Sequence, residues 1–204
     1  MPPRRVLHDK FFKQAKADGY LARSAYKLAE INDRKRLLHK GSRALDLGCA
    51  PGAWLQVASE IVGPTGVVVG IDLKPVEHAI APNVHTLVGD IYETPAESLL
   101  QHTGGHPFDA VLSDMAPNTT GHGDHFLSVR LCDRVLDLLE SSAAAGAPLL
   151  KPGGSLAMKV FEGEAYPDLV KRTARLFTEA KGFKPKASRD VSREMYIVAF
   201  GWKG

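Results

Sequence analysis

The 204-residue chain predicts an open, doubly wound α/β sheet in a single domain. Three observations predict it. Short apolar runs alternate along the chain with longer stretches of helical periodicity, the pattern of a layered α/β fold. The short runs are continuous rather than alternating polar and apolar, as parallel strands covered on both faces require. Charged or polar residues close one run after another, where the ligand crevice of such a sheet lies.

The elements follow in order. RSAYKLAEINDRKRLL (23–38) carries Ala25, Leu28, Ile31 and Leu38 near helical spacing and reads as a helix. ALDLG (44–48), VVVGIDL (67–73), VHTLVGD (84–90), AVLSDM (110–115) and SLAMKV (155–160) read as strands. AWLQVASEIV (53–62) and DHFLSVRLCDRVLDLLE (124–140) read as helices, the second with Phe126, Leu127, Leu131, Val135, Leu138 and Leu139 on one stripe. Lys151-Pro152-Gly153-Gly154 reads as a turn before the fifth strand. A helix is expected around 168–180, a sixth strand at KPKAS (184–188) and a seventh at EMYIVAF (194–200). The five residues between the last two strands are too few for a parallel crossover, which takes about a dozen or more, so as neighbours the two strands pair antiparallel. Glu194 then starts the seventh strand at the carboxyl edge of the sheet.

Composition narrows the class. The start, MPPRRVLHDKFFKQ, has no apolar signal region, and no apolar run approaches the roughly 20 residues of a membrane helix. Cys49 and Cys132 lack metal-ligand spacing and read as free thiols of a cytoplasmic protein with no membrane partner. The net charge of +3 conceals a division: residues 1–43 hold 12 Lys/Arg against 4 Asp/Glu, residues 44–170 hold 5 against 16, and residues 171–204 hold 9 against 3. A basic head and tail bracket an acidic middle. If they meet in space, they form a cationic surface suited to phosphates; apart, they are solvated lysine-rich helices.

LDLGCAPGAW (45–54) delivers a strand to a glycine loop. After Gly48 the next glycine is Gly52, so the dinucleotide spacing Gly-x-Gly-x-x-Gly fails, and Pro51 removes a backbone donor. Gly52 is followed by Ala53-Trp54 rather than Lys-Ser/Thr, which excludes a P-loop. The glycines instead let backbone approach a nucleoside with a small tail. Asp72, ending the second strand, is placed to bond both ribose hydroxyls, and Asp90, ending the third, to accept from an adenine amine. S-adenosylmethionine matches this set. Its tail carboxylate suits the helix start near Ala53, and its sulfonium and ammonium suit an acid-rich pocket. Asp46, Asp72, Asp90, Asp114, Lys159 and Glu194 gather at one rim. Taken singly, each also reads as a helix cap, a turn residue or a plain ion pair.

RSAYKLAEI, DLGCAPGAW, IDLKP, VGD, SDMAPN, LLKPGG, MKVFEGE, KPKASR and SREMYIVAFG closely resemble, in order and over nearly the whole chain, the FtsJ/RrmJ (RlmE-type) RNA 2′-O-methyltransferases. The resemblance implies a Rossmann-like S-adenosylmethionine-dependent methyltransferase fold: a seven-stranded, mostly parallel sheet, its last strand antiparallel, with helices on both faces. It implies a catalytic Lys-Asp-Lys-Glu tetrad, which falls on Lys27, Asp114, Lys159 and Glu194. The family's cofactor residues fall on Gly48, Pro51, Gly52, Trp54, Asp72 and Asp90; Asp46, Leu73, Ile91 and Asp114 complete the expected cofactor site. Cys49 departs from the alanine that many members carry. The implied reaction is methylation of a ribose 2′-hydroxyl, a uridine's by expectation, in 23S-type rRNA of the large ribosomal subunit, by a monomer. SDMAPN resembles the large-subunit enzymes more than the tRNA anticodon-loop branch.

Such a reaction needs a hydroxyl aligned with the sulfonium methyl and relieved of its proton. Lys159 is the candidate base or orienting group. A nearby Lys27 would favour its neutral form, whereas Asp114 and Glu194 would favour the charged one. RNA phosphates are expected across Arg4, Arg5, Lys10, Lys13, Lys16, Arg23, Arg34, Lys35 and Arg36 with help from the carboxyl-terminal lysines, residues 1–40 facing the RNA. Tyr20 or Tyr26 is a candidate for stacking on a base, against the ordinary reading of core packing. No metal is required. GHGDH (121–125), with His122, Asp124 and His125, reads as a lid over the site rather than a metal centre. The rival readings are a tRNA methyltransferase, a non-catalytic RNA-binding assembly factor, against which the intact tetrad speaks, and a nicotinamide oxidoreductase, against which the missing third glycine speaks.

Overall fold

A computed structural model describes residues 10–117, 123–188 and 192–204. Seven strands form one sheet: β1 (Arg43–Leu47), β2 (Val67–Asp72), β3 (Val84–Val88), β4 (Phe108–Ser113), β5 (Leu150–Phe161), β6 (Phe177–Phe183) and β7 (Glu194–Trp202), in the order β3-β2-β1-β4-β5-β7-β6. The β1, β2, β3, β4 and β5 pairings are parallel, and β7 runs antiparallel to both β5 and β6. The described residues hold six α-helices: α1 (Lys10–Ala17), α2 (Ala25–Lys35), α3 (Ala53–Val62), α4 (Ala96–Leu100), α5 (Asp124–Ala144) and α6 (Tyr166–Leu176).

Two apolar clusters cover the two faces. Ala25, Leu28 and Ile31 of α2 and Trp54, Leu55 and Val57 of α3 pack over Ala44, Leu112, Ala157, Tyr196 and Val198. Leu99, Val135, Leu136, Leu139 and Leu169 of α4, α5 and α6 pack over Leu45, Leu47, Val111, Leu156 and Ile197. Alternate residues of β1 therefore feed opposite clusters, as the pleat dictates, and both faces are dry. Each fully buried Leu, Ile or Phe contributes about 1.5–3 kcal/mol.

The carboxyl end departs from expectation. The helix expected around 168–180 ends at Leu176, and Phe177–Phe183 is the sixth strand, whereas 184–188 lies outside any strand. Thr-Glu-Ala-Lys after Phe177 looks helical because this is an edge strand whose side chains stay largely exposed. Pairing with β7 overrides that propensity, and Pro185 offers no N–H to extend the ladder. The antiparallel expectation itself holds, since β7 enters between β5 and β6.

Two smaller corrections concern α5 and β5. The buried stripe of α5 is Ser128, Val129, Cys132, Val135, Leu136, Leu138, Leu139 and Ser142, while Phe126 and Leu127 are exposed in its first turn, short of the sheet. Lys151-Pro152-Gly153-Gly154 lies within β5 as an irregularity: Phe108 pairs with Leu150 and Ala110 with Ser155. The helix α1 was not anticipated; its eight residues bury only Ala15.

Candidate active site

The carboxyl edge of β1, β2 and β4 borders a cleft of about 400 Å³. Gly48, Asp72, Leu73, Asp90, Ile91 and Asp114 line it, as do Met115, Ala116 and Tyr92. The backbone turns at Gly48 with φ +78°, and a Cβ there would run into the Met115 side chain. At Gly52, φ is +114°, and a Cβ would meet Ile80, Leu21 and Val76 at 3.0–3.1 Å. Both glycines are thus required by conformation and by space. Gly52 is the N-cap of α3, and no side chain caps the first turn.

The acids at the cleft are held differently. Asp72 accepts from the Ala50 N–H at 2.9 Å on one oxygen and from the Lys74 N–H at 2.9 Å on the other, which clips the glycine loop to the end of β2. Asp90 accepts from the Tyr92 N–H at 2.8 Å through Oδ1. Asp46 points to the α2/α3 face, wholly buried, and among the described residues neither carboxyl oxygen has a partner. Burial first, then the charges of Asp114 and Asp72, push its carboxyl well above the usual carboxylate range.

Beside the cleft stand two ion pairs. Lys159 Nζ donates to the Asp114 carbonyl oxygen at 2.5 Å and lies 3.1 Å from Asp114 Oδ1. Lys27 Nζ lies 2.7 and 2.8 Å from the two oxygens of Glu194. All four side chains are more than four-fifths buried, those of Lys27 and Lys159 more than nine-tenths. The sequence expectation that Lys27 bears directly on Lys159 is modified: each lysine has a carboxylate of its own.

Two residues hold this arrangement that the sequence reading missed. Tyr196 donates its hydroxyl to Asp114 Oδ1 at 2.6 Å and stacks on Trp54 at 5.7 Å between centroids. Burial, together with Asp114 and Glu194, raises its phenol well above the ordinary value, so it remains a donor. Ser188 donates to Glu194 Oε1 at 2.8 Å. Strand alternation could have found Tyr196, since it lies two residues beyond Glu194 and therefore on the same face. Trp54, expected at the cofactor, does not line the cleft: it is 2% exposed, and its indole N–H donates to the Ser24 carbonyl at 2.9 Å. Pro51 is exposed on the loop, and Gly52 is buried against Leu21, Val76 and Ile80; neither lines the cleft.

The basic head and tail meet. The Lys186 N–H donates to Glu30 Oε2 at 2.7 Å, Lys35 sits 5.8 Å from the centre of the Phe183 ring, and the Lys27–Glu194 pair joins the same two segments. Lys10, Lys13, Lys16, Arg34, Arg36, Lys184 and Lys186 are exposed. Arg4 and Arg5 lie outside the described residues, as does His122. Tyr20 and Tyr26 meet edge to face at 5.6 Å, and their hydroxyls donate to Glu60 and Asp18 at 2.8 and 2.6 Å. These contacts make them supports of the α1–α2 corner. Among the described residues no cluster of His, Cys, Asp or Glu could hold a metal, and no helix is long and apolar enough to cross a membrane. Both cysteines are free and buried, and burial raises both thiols.

A family model described as FtsJ-like methyltransferase matches residues 20–202. The chain belongs to that family. A ribosomal RNA large subunit methyltransferase E from Desulfatibacillum aliphaticivorans is 43% identical over 203 residues, covering 98% of this chain and 94% of the relative. Its namesake from Methanothrix thermoacetophila is 41% identical, covering 95% and 72%. A crystal structure described as a ribosomal RNA methyltransferase from Plasmodium falciparum superposes with a TM-score of 0.77 at 28% identity, covering 91% of this chain and all of that one. The family match spans every element from the loop before α2 to the end of β7, so the FtsJ-like methyltransferase architecture takes in the whole carboxyl edge described above.

Proposed function

We propose that this FtsJ-like methyltransferase uses S-adenosylmethionine to methylate a ribose 2′-hydroxyl in large-subunit ribosomal RNA. The observation that carries the reading is the Lys159 ammonium, fastened to Asp114 at the mouth of a nucleoside-sized cleft. The orphaned Asp46 carboxyl, the two cramped glycines and the acids at the strand ends fit the cofactor. Asp72 and Asp90 would hold the ribose and adenine, with Leu73 and Ile91 against the base. Gly48 and Ala50, which line the cleft, would hold the amino-acid tail, with Asp46 answering its positive charge. When bound, the cofactor supplies an electrophilic methyl carbon on a sulfonium.

The chain's own residues do the rest. Lys159, with Asp114 fixing both its position and its charge partner, orients the attacking hydroxyl. Tyr196 fixes Asp114, and the Lys27–Glu194 pair closes the far side of the ribose subsite. Such placement supplies much of the acceleration when the electrophile is already reactive. The joined basic head and tail lead phosphates to this edge without reading bases, and the relatives named for large-subunit rRNA favour that RNA.

The test is methyl transfer from labelled cofactor to undermethylated large ribosomal subunits, free rRNA and tRNA, with nuclease digestion to locate the label. Wild type should label a ribose 2′-oxygen of the large-subunit RNA, and Lys159→Ala should lose about 10²–10⁴-fold in rate. Full transfer by the variant would refute the role of Lys159. Label on tRNA alone would refute the rRNA assignment. Cofactor binding with no transfer to any of the three RNAs would refute the enzymatic reading for them.

A further inference from the structure

One arginine of α5 serves neither the ion pairs nor the basic face. Arg134 turns toward the cleft, and its Nη2 donates to two consecutive backbone carbonyls, Ile91 at 3.2 Å and Tyr92 at 3.0 Å. The guanidinium also lies 4.8 Å from the centre of the Tyr92 ring. Its Nε is buried with no partner among the described residues. Leaving a buried N–H unsatisfied is unfavourable, so a site that tolerates it gains something else. The gain here is the segment just after Asp90. Asp90 takes the Tyr92 N–H from one side, and Arg134 takes the Ile91 and Tyr92 carbonyls from the other. The loop is thereby bonded on both sides.

Tyr92 is 52% exposed, large and apolar, yet it lines the cleft. With the guanidinium over its ring, its freedom to rotate is curtailed. A held aromatic at the mouth of a nucleoside pocket is a stacking surface for a flat base, and a cation on an aromatic face strengthens the assembly. We propose that Tyr92 is a wall of the adenine subsite and that Arg134 is the residue that positions it. The role rests on the cofactor reading above and extends it to two residues outside the acid and glycine set. It acts on cofactor affinity and leaves the methyl-transfer step alone, because neither residue approaches Lys159 or Asp114 by any contact described.

Calorimetry with adenosylhomocysteine and steady-state kinetics with adenosylmethionine test this on the full chain. Arg134→Met and Tyr92→Ala should each weaken binding and raise KM about tenfold with kcat unchanged. Tyr92→Phe keeps the ring and should bind as wild type does. Arg134→Lys keeps the charge but not the flat fork, and should fall between. The double variant should bind no more weakly than the worse single, since both act through one wall. Thermal melting identifies any variant that fails to fold; Tyr92→Ala, with its half-exposed side chain, and Arg134→Lys carry the test if Arg134→Met does. Folded single variants within about twofold of wild type would overturn the proposal, as would additive losses in the double. Wild type binding neither compound would overturn the cofactor reading and this role with it, whereas a binding wild type with unchanged variants overturns this role alone.

Discussion

Asp46 and Asp109 occupy neighbouring strands, one toward each edge of the sheet, and their surroundings are opposite. Asp109, near the start of β4, accepts from the Arg43 N–H at 2.7 Å and Nε at 3.3 Å, and lies 2.5 Å from Lys151 Nζ. Burial pushes its carboxyl up, but the bonds from Arg43 and Lys151 outweigh this and hold it below the usual range. It ties β1, β4 and β5 together. Asp46 has the same side chain, deeper burial and no donor at all. At the amino edge an acid is used to strengthen the sheet. At the carboxyl edge an acid is buried without a donor among the described residues, at a cost to stability. The same side chain ties strands together at one edge of the sheet and stands unpaired at the other.

Asp46→Asn should break the comparison most strongly. Cofactor affinity should fall by about 10–100-fold, the size of a lost charge-assisted contact, as read by calorimetry. Stability should move the other way. A carboxyl whose folded value lies above its unfolded value favours the fold at low pH and loses that contribution as pH rises. The melting temperature of the variant should therefore exceed wild type at pH 7–8, and the gap should close toward pH 4. A variant less stable than wild type at pH 8 would show that Asp46 has a partner in solution.

Arg172 sharpens the opposite case. From α6 it reaches Asp133 at 2.7 Å, Asp137 at 2.6 Å and Glu140 at 2.7 Å on α5. The group is partly exposed, so Arg172→Ala should cost only about 1–2 kcal/mol, mostly by leaving three carboxylates facing one another. Melting should drop by roughly 2–8 °C with methyl transfer intact; lost activity would mean that α6 bears on the site. Asp109→Asn should be the smallest, about 0.5–1 kcal/mol at neutral pH. Its sign is again opposite to Asp46: the contribution exists above the unfolded carboxylate value and is lost as pH falls through the lower, folded one. The stability difference from wild type should vanish in acid, and a difference that persists there would assign it to packing.

Much of this was legible in the sequence. The alternation of runs, the failed dinucleotide spacing at Gly48 and Gly52, and the polar ends of the strands located the cleft, because local patterning and turn chemistry act over a few residues. The tetrad positions came from resemblance, and pairing was not part of it: that Lys27 belongs to Glu194 and Lys159 to Asp114 depends on tertiary placement. Trp54 illustrates the limit. A large aromatic beside a glycine loop suggests ligand contact, yet the turn at Gly52 aims it inward onto Tyr196. The Phe177–Phe183 strand was hidden because its partner, β7, lies later in the chain and an edge strand has no strong pattern of its own. Arg134 was invisible for the same reason, since its targets are about 40 residues away.

The insertion of β7 between β5 and β6 has a consequence for synthesis. Lys27 and Glu194 are 167 residues apart, and the hydrogen bond between them joins α2 to the first residue of β7, the strand that lies between β5 and β6. A growing chain can assemble the glycine loop, the acids and Lys159 beforehand, but any product ending before Glu194 leaves the Lys27 ammonium with no counter-charge. The last strand to be synthesised is thus the one that completes the Lys27–Glu194 pair, so the pair exists only once almost the whole polypeptide has been made.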